Sequence, residues 1–212
     1  MQVEIRADKK AVTLRGYVNV VGRDSKTLHD KTGPYIEQIV PGTFAKALKS
    51  GAPVELRFNH KKMLGSTDSG TLELREDQIG LYGSAVVTDP DVIAAAEKKE
   101  LRGWSFGFVK QNDSWKTDEN GTRRRYVDTL ELREVSVLDK APAYIATSIE
   151  TRDGDELLVE FRADVLAEDG VNYVRQTERE TTEKSTTLTP EDENTMFCIS
   201  KTIEIFKMKR RK

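Results

Sequence analysis

The sequence predicts a strand-dominated α+β fold, a barrel or sandwich of many short strands with two or three helices. Three observations point there. Apolar and polar residues alternate at period two in one stretch after another up to about Thr151. Pro and Gly punctuate those stretches at short intervals, and Asn120-Gly121 is the strongest hairpin signal in the chain. Helical patterning is confined to short windows.

Val3 to Ala7 and Ala11 to Val21 alternate and read as one or two strands. Arg23 to Pro34, rich in Asp, Lys, Thr and Gly, reads as a loop. In Tyr35 to Lys49, Pro41 and Gly42 break the strand, and Thr43 is suited to cap a helix from Phe44 to Lys49. Val54 to His60 alternates again, which would put Val54, Leu56, Phe58 and His60 on one face. Gly70 to Val87 reads as two strands joined near Asp77. Asp89 and Pro90 are a cap and first turn for a helix from Asp91 to Lys99. Gly103 to Val109 and Asp128 to Leu138 complete the core strands. Beyond Asp153 the pattern decays: Leu157 to Leu166 suits a helix or a strand, and Gln176 to Asn194 is a polar tract read as linker. A late apolar patch and a basic end, Lys207 to Lys212, close the chain. The division expected is a domain over 1–151 and a polar, flexible segment over 152–212.

Composition narrows the function. The 212 residues allow one ordinary domain with appended segments. A formal net charge of −2 gives no reason to expect nucleic acid or an anionic membrane as partner. The single cysteine, Cys198, permits no intrachain disulfide, and two histidines with one cysteine make a poor zinc set. No metal or cofactor is expected. No stretch approaches membrane-spanning length and Met1 to Arg15 lacks a signal-peptide pattern, so the chain reads as soluble and intracellular.

Three segments can carry chemistry. In Gly103-Trp-Ser-Phe-Gly-Phe108, alternation sends Trp104, Phe106 and Phe108 to one side and Ser105 to the other, flanked by Gly103 and Gly107. A nucleophile needs such a gap for a substrate backbone to approach. The same pattern also suits a serine on a sheet surface beside a glycine bulge. His60, at the edge of an apolar face, is placed to titrate near neutrality and serve as general base. It could equally be a structural histidine, and His29 is the only other one. In Leu130 to Leu138, alternation puts Glu134 with Leu130, Leu132, Ser136 and Leu138, where a carboxylate needs a partner. That partner could be an imidazole, as in a catalytic triad, or an arginine such as Arg102 or Arg133. Asp68 and Asp139 remain alternative acids. Cys198 has no neighbouring histidine, and Gly65 to Gly70 lacks the lysine of a phosphate loop and reads as a turn.

In their order and spacing these segments resemble the tailed-phage prohead maturation proteases. The residues concerned are Ile39-Val-Pro-Gly-Thr-Phe44, Arg57-Phe-Asn-His60, Leu64-Gly-Ser66, Gly70-Thr-Leu-Glu-Leu74, Gly103 to Phe108 and Leu132 to Tyr144. The resemblance covers about residues 1 to 151. It implies a partly closed β-barrel with surrounding helices, similar to the herpesvirus assembly proteases. It also implies a catalytic serine at Ser105 and a histidine at His60. The herpesvirus order of histidine, serine and a final histidine leads to a third member after the serine; no histidine follows Ser105 here, and Glu134 lies in that region. Lys61 and Lys62 stand where the family usually has an acid after Asn-His.

The expected function is a serine endopeptidase that cleaves the scaffolding portion of the phage major capsid protein, and its own C-terminal segment, inside the immature capsid in the host cytoplasm. Self-association is left open. The alternative is a catalytically inactive barrel that binds the scaffold as an assembly factor.

Overall fold

The computed structural model describes residues 1–139, 147–152, 155–165 and 170–176. They lie within the compact unit Met1–Thr177. The polar tract from 177 on, the late apolar patch, Cys198 and the basic end all lie outside the described residues.

The elements in chain order are β1 (Gln2–Ile5), β2 (Val12–Val20), β3 (Leu28–Asp30), β4 (Gly33–Ile39), α1 (Thr43–Lys49), β5 (Glu55–Phe58) and β6 (Lys62–Ser66). There follow β7 (Leu72–Glu76), β8 (Gly80–Val87), α2 (Pro90–Glu97), β9 (Gly103–Thr117), β10 (Arg123–Leu138), β11 (Thr147–Arg152), β12 (Asp155–Val165) and β13 (Asn172–Arg175). One sheet has the order β13-β1-β2-β8-β7. The other runs β11-β12-β9-β10-β4-β3, with β5 also parallel to β10 and β6 paired to β5. The strand-dominated α+β expectation holds. Closure into a barrel does not occur among the described residues, because no backbone ladder joins the five-stranded sheet to the eight-stranded one.

The inner faces of both sheets share one core. Leu14 and Val18 of β2, Leu81 and Ala85 of β8, Trp104, Phe106 and Phe108 of β9, and Val135 and Val137 of β10 are buried together with Phe44 of α1 and Val92 and Ala96 of α2. Burying each large side chain stabilises the fold by roughly 1.5–3 kcal/mol.

The helices start differently. Asp89 caps α2 as expected, its carboxylate accepting from the amides of Asp91 (3.0 Å) and Val92 (3.4 Å), with Pro90 in the first turn. Thr43 does not cap α1. The cap residue is Gly42, with φ 88°, and Glu76 of β7 supplies the acceptors, taking the amides of Gly42 (2.7 Å) and Ala45 (2.5 Å). Thr43 is free to point inward, and its Oγ1 donates to the carbonyls of Val127 and Asp128.

Three differences from the sequence reading have local causes. The stretch Arg23 to Pro34 is not wholly loop: Leu28–Asp30 forms β3 and hairpins onto β4. Strands β9 and β10 run well past their apolar cores to a turn at Asp118–Thr122, where Gly121 has φ 81°. Their outer halves carry charged residues in place of apolar alternation, so period two is invisible there. Of Leu157 to Leu166, equivocal by pattern, the described residues 157–165 belong to strand β12, which pairs antiparallel with β9 through 159–165.

Candidate active site

The register of the eight-stranded sheet brings the candidates to its outer face. Directly opposed residues share a face. Ser105 of β9 opposes Ser136 of β10, which opposes Arg57 of β5; Gly107 opposes Glu134, which opposes Glu55. On the other flank of β9, β12 sets Ala163 against Ser105 and Phe161 against Gly107. This polar grid lies back to back with Trp104, Phe106 and Phe108.

Glu134 reaches that face through an irregularity. Leu132 opposes Phe108 while Glu134 opposes Gly107, so β10 carries one more residue than β9 across this step. The extra residue flips the alternation. Glu134 and Ser136 therefore do not share a face with Leu132, as simple alternation demanded; Leu132 joins Val135 and Val137 on the core side. Arg102 and Arg133 are not the partners found for Glu134 either. Its Oε1 contacts His60 Nδ1 at 2.5 Å and accepts from Ser136 Oγ at 2.9 Å, and its Oε2 lies 3.2 Å from Arg57 Nε. The side chain is only 3% exposed.

His60 also reaches this face by departing from strand geometry. Strand β5 ends at Phe58, and the Lys61 amide donates to the Phe58 carbonyl at 3.1 Å. Asn59 and His60 both have positive φ, 53° and 62°, which makes Phe58–Lys61 a type I′ turn. The turn takes His60 off the face of Leu56 and Phe58, where alternation had put it, and swings it over Glu134. Asn59 is a residue that tolerates the left-handed region. It is tied at both ends to the end of β10: its amide donates to Val137 O (2.9 Å) and its Oδ1 accepts from the Asp139 amide (3.2 Å). Arg57 braces the other side, contacting Glu55 Oε2 and donating to the His60 carbonyl at 3.5 Å.

Gly107 makes the arrangement sterically feasible. A Cβ there would come within 2.7 Å of Phe161 Cε1 and 2.8 Å of Glu134 Cγ. Phe161 in turn packs against the His60 ring, with centroids 4.6 Å apart at 64°. His60 keeps 23% of its side chain exposed.

Ser105 is on this same face but is not hydrogen-bonded to His60. It is fully buried, and its Oγ donates to the carbonyl of Arg162 on β12 at 2.8 Å. The structure thus brings His60 and Glu134 into contact and leaves Ser105 committed to a neighbouring strand. Of the other candidates, His29 is exposed on β3 and Asp68 is exposed in the turn after β6. Asp139, at the end of β10, has a buried Oδ1 without a hydrogen-bond partner among the described residues.

Sequence reasoning gave no role to Arg57, Asn59, Ser136, Phe161 or Arg162. The first two stood inside the Arg57-Phe-Asn-His60 motif, and an Asn before a His at the end of a strand is the available signal for the turn. Nothing in the pattern announced the residues of β12.

Comparison with protein families matches residues 1–159 to the caudovirus prohead serine protease. No curated protein and no solved structure matches the chain.

Proposed function

The chain belongs to the caudovirus prohead serine protease family, and from that premise we propose that Ser105 is its nucleophile, His60 its general base and Glu134 the acid that orients the base. The observation carrying this reading is the His60 Nδ1 to Glu134 Oε1 contact of 2.5 Å, on the sheet face that also holds Ser105. With Nδ1–H directed at the carboxylate, Nε2 is the acceptor nitrogen. Ser105 Oγ bonds to the carbonyl carbon of the substrate while its proton passes to Nε2. The C–N bond then breaks as His60 returns that proton to the departing amine, and water repeats the cycle to release the acyl group. Glu134 holds and stabilises the imidazolium, supported by Arg57 and Ser136. Backbone amides would hold the developing oxyanion.

The substrates in this reading are the scaffolding portion of the major capsid protein and the protease's own C-terminal segment, cut within the prohead in the host cytoplasm. Ser105→Ala should lower kcat on a scaffold substrate by about 10⁶, the loss seen when a serine protease gives up its nucleophile. Mass spectrometry should find the tail removed in wild type and intact in Ser105→Ala. Normal scaffold cleavage by the mutant would end the assignment.

One observation favours a second reading, the silent scaffold-binding factor: Ser105 is sealed and its Oγ is spent on the Arg162 carbonyl. That reading has the wild type leave both scaffold and tail uncut while still binding scaffold.

A further inference from the structure

Ser105 is buried beside β12, which pairs with β9 as a peptide substrate would. It is extended, antiparallel and in register, with Ala163 opposite Ser105 and Phe161 opposite Gly107. Its Arg162 carbonyl receives the Ser105 hydroxyl at 2.8 Å, and its Phe161 ring covers His60. One strand of the chain itself thus engages both proposed reacting groups. Building on the assignment of Ser105 and His60, we propose that β12 is the resident occupant of the substrate cleft, and that an extended substrate segment pairs with β9 in its place.

The mode is strand addition, in which main-chain hydrogen bonds hold the peptide and alternate side chains are read on either face. The grid specifies that reading. The position taken by Phe161 sits over a glycine and against the imidazole, so it calls for an aromatic or large apolar side chain. The position taken by Ala163, directly opposite Ser105, calls for a small one. The positions of Glu160 and Arg162 point to the other face, where both side chains pair with buried charges: Arg162 with Glu37, and Glu160 with Arg125. These ion pairs latch the resident strand, so the competent fraction of the enzyme, and hence its apparent affinity for substrate, is set by how often β12 leaves.

The test uses the full chain with Cys198→Ser and Ser105→Ala, so that binding is read without hydrolysis. Val109→Cys and Val159→Cys are added at directly opposed positions of β9 and β12. Opposed residues lie about 4.5–5.5 Å apart at Cα, within disulfide reach. The probe is a fluorescent synthetic peptide of residues 155–167, Asp-Glu-Leu-Leu-Val-Glu-Phe-Arg-Ala-Asp-Val-Leu-Ala. Reduced protein should bind it, and oxidised protein should bind at least about tenfold more weakly. Equal affinity in the two redox states, or no binding to the reduced form, would overturn the proposal. Where the disulfide fails to close, Phe161→Ala on the Ser105→Ala chain is the second variant. By loosening the resident strand it should tighten peptide binding, and unchanged or weaker binding overturns the proposal. Redox-gated binding by a chain whose wild type cuts no scaffold would strike the protease assignment alone.

Discussion

Two buried polar clusters sit on opposite faces of the eight-stranded sheet, and both are built from arginines and carboxylates. On the inner side, Arg125 and Arg162 interleave with Glu37, Glu160 and Asp113. Arg125 donates to all three acids at 2.6–3.0 Å, and Arg162 to Glu37 and Glu160 at 2.6–2.9 Å. On the outer side, Arg57 and Ser136 hold Glu134, and Glu134 holds His60. In the inner cluster each guanidinium is matched by carboxylates and the charges are locked into one another. In the outer cluster the chain of contacts ends on an imidazole whose second nitrogen has no hydrogen-bond partner among the described residues and whose surface is partly exposed. A closed set of ion pairs holds strands together, whereas an open one can pass a proton onward.

The protonation behaviour of the inner cluster fits that division. Burial pushes the Glu160 carboxyl up, but the Arg125 hydrogen bond and the charges of Arg162 and Arg125 pull it down further, leaving it below the ordinary carboxylate range. Arg125 is likewise held more firmly protonated than usual, Glu160 and Glu37 outweighing the effect of burial.

The sharpest way to break the contrast is to remove one carboxylate from each cluster. Glu134→Gln keeps the shape but loses the charge that, in the proposed triad, stabilises the imidazolium. Its kcat should fall by about 10⁴ with the unfolding midpoint little changed, on the precedent of the equivalent change in a serine protease triad. Glu37→Ala should do the reverse. It leaves two buried guanidinium groups short of a partner and should cost about 3–5 kcal/mol in urea unfolding. A stability loss from Glu134→Gln with activity retained would exchange the roles of the clusters. Gly107→Ala lies between them. Its Cβ would force Phe161 and Glu134 apart, so stability should drop by roughly 1–3 kcal/mol, with kcat reduced alongside. The smallest effect is on pH. The depressed Glu160 carboxyl adds stability that is complete above its unfolded pKa of about 4.3. That stability drains away as pH falls through the lower folded value. Urea midpoints between pH 6 and pH 3 should therefore decline more in wild type than in Glu160→Gln. Equal slopes would mean the inner pairs add nothing to folding.

Much of this was legible from local pattern. The aromatic side of β9, the capping of α2 and the Asn120-Gly121 turn follow from propensities that act over a few residues. Ser105, His60 and Glu134 could be named from motif order, yet two of the three were given the wrong face. The type I′ turn at Asn59-His60 and the added residue in β10 each break period two, and a break of one residue inverts every side chain beyond it. The inner ion pairs were invisible for a different reason. Glu37, Arg125 and Arg162 belong to three separate strands, and a charged residue in a strand reads as solvent-facing until its partners are known.

The sequence by itself determined a strand-rich chain with two or three helices, a serine set between glycines on an aromatic strand, and the family to which it is similar. These are properties of short windows, where the alternation of side chains and the turn residues act without help. Only the tertiary structure decided that His60 meets Glu134, and that Ser105 is bonded to the chain's own β12. Those outcomes depend on register and on contacts between residues 57 to 74 positions apart, and no local propensity encodes such pairings.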